Sequence, residues 1–122
     1  MRALAAAAIA GLVLGVAACG GNSVAQPSGS IKVSMTEFAF APSTISAPAG
    51  KVVFYLVNAG NGVSHDLVIR DSNGNRIAGS ELLSAGDSAV FTVDSIQAGT
   101  YTYFCDQPGH EQSGMKGTLT VT

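Results

Sequence analysis

The sequence predicts an all-β fold, a Greek-key β-sandwich of about seven to eight short strands. Short runs rich in β-branched and aromatic residues alternate with turn signals built from glycine, proline, asparagine and aspartate. Apolar residues recur at every second position or in continuous runs of strand length, and no stretch after residue 30 follows a convincing helical period. The length of 122 residues allows one domain.

Residues 1–18 are predicted to be a signal peptide. Arg2 supplies a positive charge, and residues 4–17 form an apolar stretch that is too short and too rich in alanine and glycine for a good membrane span. The stretch ends in Val16-Ala17-Ala18-Cys19, which resembles a bacterial lipobox. This resemblance implies that Cys19 becomes the lipidated first residue of the mature protein, which would anchor it to the bacterial cell membrane as a lipoprotein.

Two other interpretations of this region stay open. The leader could be a plain signal peptide, cleaved near Ala18 or Ala25, which would leave the protein secreted or periplasmic. Cys19 could also form a disulfide with Cys105, since two cysteines in an exported protein invite that pairing. Residues 19–30 are small, polar and interrupted by glycine and proline, so they are predicted to be a flexible linker of about 20 Å before the domain at 31–122.

The strand signals within residues 31–122 can be taken in order. Residues 31–35 alternate apolar and polar side chains, and residues 51–57 form a continuous apolar run. Residues 76–83 are ambiguous between a short strand and a helical turn. The other predicted strands are 38–40, 63–70, 88–93, 100–105 and 116–121.

One stretch near the C terminus carries chemistry. Four residues separate Cys105 from His110, and four separate His110 from Met115; the glycines and proline between them predict a loop that folds back on itself. Thiolate and thioether ligands select copper(I), and imidazole suits copper in both oxidation states. The only other histidine is His65, and the strand pattern places it with Cys105 at the lip of the core.

The pattern Cys-x4-His-x4-Met, with a single histidine about forty residues upstream, resembles the type 1 copper site of the cupredoxins, with auracyanin-like spacing. Residues 99–105 and 115–121 are similar to the last two strands of that family. The resemblance implies a cupredoxin-like fold and one mononuclear blue copper bound by His65, Cys105, His110 and an axial Met115. It also implies a monomeric electron carrier, not an enzyme, that meets extracytoplasmic redox proteins such as c-type cytochromes or membrane oxidoreductases.

The resemblance further implies which residues surround the thiolate. Backbone N–H groups of Asp66 and Gln107 would donate to the sulfur, and Pro108 has no N–H to give, which favours a higher reduction potential. Asp66 stands where cupredoxins commonly carry asparagine, and an ionised carboxylate there would lower the potential. His110 would reach the surface through an apolar patch and form the route for the electron.

Charged residues point to one further hypothesis and exclude one function class. Asp106 and Glu111 flank the predicted site and could steer a basic partner, although ordinary solubilising charge explains them equally well. Removing Arg2 with the leader leaves five basic residues, six less one, against eight acidic ones. The basic residues are scattered, so nucleic-acid binding has no electrostatic support.

Other function classes compete with electron transfer. Cysteine and two histidines resemble a catalytic zinc site, but zinc gains little from the thioether of Met115. A copper carrier or homeostasis protein would want exposed tracts rich in histidine and methionine, which the sequence lacks, and a multicopper enzyme would need more than two histidines. A metal-free β-sandwich interaction module stays open as well.

Overall fold

The computed structural model describes residues 22–122, so the predicted leader and Cys19 lie outside the described residues. The described chain contains no helix that is long and apolar enough to cross a bilayer. It forms nine strands: β1 (Ile31–Thr36), β2 (Ala39–Ala41), β3 (Thr44–Ala47), β4 (Gly50–Asn58), β5 (Val68–Arg70), β6 (Arg76–Gly79), β7 (Ser88–Ile96), β8 (Gly99–Phe104) and β9 (Lys116–Val121).

The strands form two mixed sheets that enclose one core. The first sheet has the order β2-β1-β4-β7 and the second the order β3-β9-β8-β5-β6. The β1–β4 and β3–β9 pairs are parallel, and the other neighbouring pairs are antiparallel. The prediction of an all-β sandwich is confirmed, with nine strands in place of seven to eight.

Period-two alternation decides which side chains enter the core. In β1, Val33 and Met35 are buried while their neighbours are not, and in β4 the same alternation buries Phe54 and Leu56. The facing layer consists of Leu67, which precedes β5, and of four residues of the second sheet, Ile69, Tyr103, Leu119 and Val121. Each large apolar side chain buried in this way contributes about 1.5–3 kcal/mol to folding.

Tyr103 joins the two sheets. Its ring packs edge-on against Phe40 of the other sheet at 5.2 Å between centroids, and its hydroxyl donates to the Pro42 carbonyl at 2.6 Å. Burial raises the pKa of the Tyr103 hydroxyl to about 12. Tyr103 therefore fixes the position of β8, the strand that leads directly to Cys105.

The strand predicted over 63–70 is too long, and this expectation is wrong for residues 63–67. Only β5 forms a ladder there, whereas His65 makes a single antiparallel bridge with Leu83. Leu67 bonds to both the backbone and the hydroxyl of Ser80. The backbone groups of His65 and Leu67 are thus bonded to Leu83 and Ser80 at separate points, without forming a continuous ladder.

Two other segments differ from the expectation. The ambiguous stretch 76–83 contains β6, which pairs with β5, and then the bridging residue Leu83. A strand that was not predicted, β3, lies between Pro42 and Pro48 and pairs in parallel with β9. Its four residues are too few to show clear alternation, and its partner is more than seventy positions away.

The described part of the predicted linker lies against the domain. The Asn22 N–H donates to Asp87 Oδ1 at 2.7 Å, and the Val24 N–H donates to the Ser88 hydroxyl at 2.8 Å. The Tyr55 hydroxyl donates to the Val24 carbonyl at 3.0 Å. The linker estimate of about 20 Å assumes a free chain, and these bonds attach it before residue 25.

Candidate metal centre

Two elements bring a thiol and an imidazole to the same end of the sandwich. Cys105 directly follows β8, and alternation places it on the interior side with Tyr103. His65 is held by two backbone hydrogen bonds to Leu83, and its side chain is fully buried. The sequence prediction that both residues lie at the lip of the core agrees with this placement.

The loop from Cys105 to Met115 folds back through consecutive turns. Gly109 and Gly114 adopt φ values of 82° and 107°, which non-glycine residues rarely reach. The Met115 N–H donates to the His110 carbonyl, and the Met115 carbonyl accepts the Cys105 N–H, each at 3.1 Å. These two bonds close the loop, so that the fully buried Met115 lies beside both of the other residues.

Three donor atoms converge at this point. Cys105 Sγ lies 3.3 Å from His110 Nδ1 and 3.9 Å from His65 Nδ1. One ligand atom from each of these residues lies within 4.8 Å of the others. His65 and Cys105 are 0% and 1% exposed, whereas His110 is only partly buried. One ring therefore lies inside the protein, and the other has an edge towards solvent.

Burial sets the protonation of the two enclosed groups. Loss of solvation lowers the pKa of His65, so the ring is held neutral with one nitrogen free to bind a metal. Burial also raises the pKa of the Cys105 thiol, while the backbone N–H groups of Asp66 and Gln107 act in the opposite direction. A bound cation would lower the pKa of the thiol further, since a thiol that coordinates a metal ion is deprotonated.

Asp66 ties the two ligand segments together. Its Oδ1 accepts the Asp106 N–H at 2.8 Å, and the residue is 7% exposed. Asp66 follows His65, and Asp106 follows Cys105, so this bond fixes the separation of the two ligands. Asp66 thus makes the acceptor contact that the sequence allows in place of asparagine.

Sequence reasoning missed two residues at the turn between β1 and β2. Glu37 Oε1 lies 3.4 Å from Nε2 of His65, on the side of the ring away from Cys105. The Phe38 ring lies 4.8 Å from the His110 ring and is 39% exposed. No local pattern in the sequence signals either contact, because the turn reaches the site only through the packing of one sheet on the other.

The two acidic residues proposed to steer a partner are both paired with arginine. Arg70 forms a two-point contact with Glu111 at 3.0 and 2.5 Å, and Arg76 contacts Asp106 at 3.0 Å. The hydrogen bond from Arg70 lowers the pKa of Glu111. A guanidinium beside each carboxylate offsets the negative charge that the steering hypothesis requires.

The donor chemistry fits copper. Two imidazole nitrogens and one sulfur lie within 4.8 Å of one another, and the buried Met115 is bonded through its backbone to Cys105 and His110. Two histidines, a cysteine and a methionine are the ligand set of a trigonal copper site with a weak axial methionine. Zinc would gain nothing from the thioether. Cys105 is buried and forms no disulfide with any residue from 22 to 122, so its sulfur is available there as the thiolate ligand.

Comparison with known proteins gives the same picture. A family model for a cupredoxin-like domain matches residues 5–121. Auracyanin-B of Chloroflexus aurantiacus is 32% identical over 119 residues, covering 75% of this chain and 51% of its own, so the chain spans about half the length of that relative. Plastocyanin of Scenedesmus fuscus is 36% identical over 87 residues, covering 67% of this chain and 85% of its own.

Solved structures agree in fold. A structure of auracyanin B superposes with a TM-score of 0.70 at 32% identity, covering 84% of this chain and 96% of that one. A structure of reduced auracyanin from Roseiflexus castenholzii superposes with a TM-score of 0.69 at 23% identity, covering 80% and 99% of the two chains, and supports the fold alone. The two-sheet architecture, the family match over nearly the whole sequence and the converging donors lead to one conclusion: the chain belongs to the cupredoxin-like family.

Proposed function

We propose that the protein carries single electrons through one copper ion held by His65, Cys105, His110 and Met115. The observation that carries this proposal is the convergence of three donor atoms within 4.8 Å of one another at a buried end of the sandwich. When bound, copper supplies a one-electron couple between its two common oxidation states. The protein holds the donors in place and excludes water from three of them.

The arrangement favours electron transfer over chemistry on a substrate. Four side chains complete the coordination expected of such a site and leave no position for a substrate. The donors are held by a strand end, a backbone bridge and a loop closed by hydrogen bonds, so their positions need not change when the electron arrives or leaves. The inference that the protein is not an enzyme rests on this argument.

His110 is the proposed route for the electron. It is the only one of the four residues that is not fully enclosed, and Phe38 lies against it with an exposed face. A small apolar surface of this kind suits brief contact with another redox protein, such as a c-type cytochrome or a membrane oxidoreductase. Because the nearby carboxylates are paired with arginines, this contact would depend little on ionic strength.

We also propose that residues 1–18 direct export and that Cys19 is lipidated. Asn22 bonds to Asp87, whose carbonyl accepts the Asn58 N–H, and the Asn58 side chain donates to the bridging Leu83 beside His65. The linker therefore joins the domain at the end that holds the proposed copper. Three residue steps separate Cys19 from Asn22, at most about 10 Å, so an anchor there would keep this end close to the membrane.

Three experiments test the proposed electron transfer and the proposed anchor. Stepwise reduction of the copper-loaded protein should follow a one-electron Nernst curve, and a two-electron curve or irreversible loss of metal would contradict it. Loss of copper to a weak chelator would favour the carrier alternative, and failure to bind copper would favour the metal-free module.

Cell fractionation tests the anchor: wild-type protein should be found with membranes and the Cys19→Ser variant in the soluble fraction, whereas a soluble wild type would contradict lipidation.

A further inference from the structure

The two nitrogens of the buried His65 ring face different partners. Nδ1 lies 3.9 Å from Cys105 Sγ, on the side of the proposed metal. Nε2 lies 3.4 Å from Glu37 Oε1, and Glu37 comes from the β1–β2 turn of the opposite sheet. A neutral imidazole carries its proton on one nitrogen only, and the hydrogen bond that each nitrogen can make decides which one it is.

The Glu37 carboxylate is held in place independently of His65. The Asn61 N–H donates to both of its oxygens, at 3.1 and 3.2 Å. A carboxylate held in this way accepts hydrogen bonds and has no proton to donate. An acceptor fixed opposite Nε2 requires the proton of His65 to be there.

Gly60 makes room for this carboxylate. A Cβ atom at position 60 would overlap the Glu37 carboxyl group, so an alanine there would force the carboxylate to move. The Gly60 N–H is in turn bonded to Asn58 Oδ1 at 3.0 Å, and the Asn58 amide donates to the Val63 and Leu83 carbonyls. The segment 58–61 therefore packs closely against Glu37. It is also bonded to Leu83, whose backbone pairs with that of His65.

We propose that Glu37 is a positioning residue for the copper ligand His65: it fixes the proton on Nε2, presents the bare Nδ1 to the metal, and places a negative charge that lowers the reduction potential. A carboxylate bonded to the far side of a ligand imidazole orients the ring and makes it more basic. Its charge stabilises copper(II) more than copper(I), because the oxidised ion carries the larger positive charge. The adjacent Phe38 packs on His110, so one turn supports both imidazoles.

The first part of the proposal can be tested without copper. In ¹⁵N-labelled, copper-free wild-type protein at neutral pH, the nitrogen spectrum of His65 should show the proton on Nε2 and an unprotonated Nδ1. In Glu37→Ala this preference should weaken to a mixture of both forms. A wild-type spectrum with the proton on Nδ1, or an unchanged preference in the variant, would overturn the proposal.

The second part rests on the proposed function and is tested by the midpoint potential. Glu37→Gln keeps an amide oxygen as acceptor and removes the charge, and it should change the ratio of copper(I) to copper(II) affinity about tenfold in favour of copper(I). For a one-electron couple this is an upward shift of about 59 mV. Gly60→Ala, which displaces the carboxylate, should shift the potential in the same direction.

The matched control is Asp94→Asn, which removes one negative charge from an exposed position near the far end of β7. It should leave the potential within a small fraction of the Glu37→Gln shift. Equal potentials in Glu37→Gln and Asp94→Asn would overturn the electrostatic role. If the wild type binds no copper, the proposed function fails, but the spectrum of the copper-free protein still decides the tautomer.

Discussion

The contact between Arg70 and Glu111 should hold the metal-binding loop against the second sheet. Arg70 lies on β5, Glu111 follows His110, and the Arg70 guanidinium also lies 4.4 Å above the ring of Phe104, the residue before Cys105. One side chain thus contacts both the middle of the loop and the strand residue that precedes it. The variant Arg70→Met removes the guanidinium and keeps an apolar stem of similar length.

The structure gives the size of the effect. The Arg70 and Glu111 side chains are 29% and 24% exposed and meet at two points, so the pair belongs at the upper end of the range for surface ion pairs, about 1 kcal/mol. The guanidinium over Phe104 adds about 0.5–1 kcal/mol. Arg70→Met should therefore lower the free energy of unfolding by about 1.5–2 kcal/mol, and Tm by about 6–12 °C.

A double-mutant cycle separates the two contributions. Denaturant unfolding of the copper-free wild type, Arg70→Met, Glu111→Gln and the double variant should give a coupling energy of about 1 kcal/mol between the pair. The remainder of the Arg70→Met loss is the contact with Phe104. High salt should reduce the coupling. A coupling indistinguishable from zero would refute the reasoning that this pair fastens the loop.

Three further predictions follow from the same structure. Gly117→Ala should destabilise the protein by at least about 2 kcal/mol in chemical unfolding, because the added Cβ would lie 2.3 Å from Tyr103 Cζ and 2.6 Å from the Ser43 carbonyl oxygen; a variant as stable as wild type would contradict this packing. The copper-free protein should lose stability as pH falls below about 6.5, because burial lowers the folded-state pKa of His65 and the unfolded chain then binds the extra proton; unfolding curves that do not change between pH 7 and 5 would contradict the shift. Pro108→Ala should raise the midpoint potential of the copper-loaded protein, opposite to the direction expected from the sequence, because a new N–H near the thiolate would withdraw electron density from the sulfur and disfavour copper(II); an unchanged potential would show that this proline does not tune the site.

The metal-binding loop could be predicted from sequence because its information is local. Cys105, His110 and Met115 lie within eleven residues, and the glycines that turn the chain lie between them. His65 could be added because the chain has only one other histidine. The softness of these ligands and their spacing indicate copper binding without any knowledge of the fold.

The contacts that depend on the fold could not be predicted in the same way. Glu37 meets His65 across 28 positions, and Arg70 meets Glu111 across 41. In the sequence, Glu37 and Arg70 look like ordinary surface charges, since their partners come from segments that only the folded sheets bring together. The alternation over 63–70 identified the core residues Leu67 and Ile69 correctly, but periodicity reports which side chains are buried and not whether the backbone has a neighbouring strand.

The most direct test of the copper site is the visible absorption spectrum of the protein after addition of equimolar copper(II). The protein should show an intense blue band from charge transfer between the Cys105 thiolate and copper, which disappears on reduction and is absent in Cys105→Ser. A colourless protein, or a pale one with the weak absorption of copper bound without a thiolate, would contradict the proposed copper site and the electron transfer that depends on it.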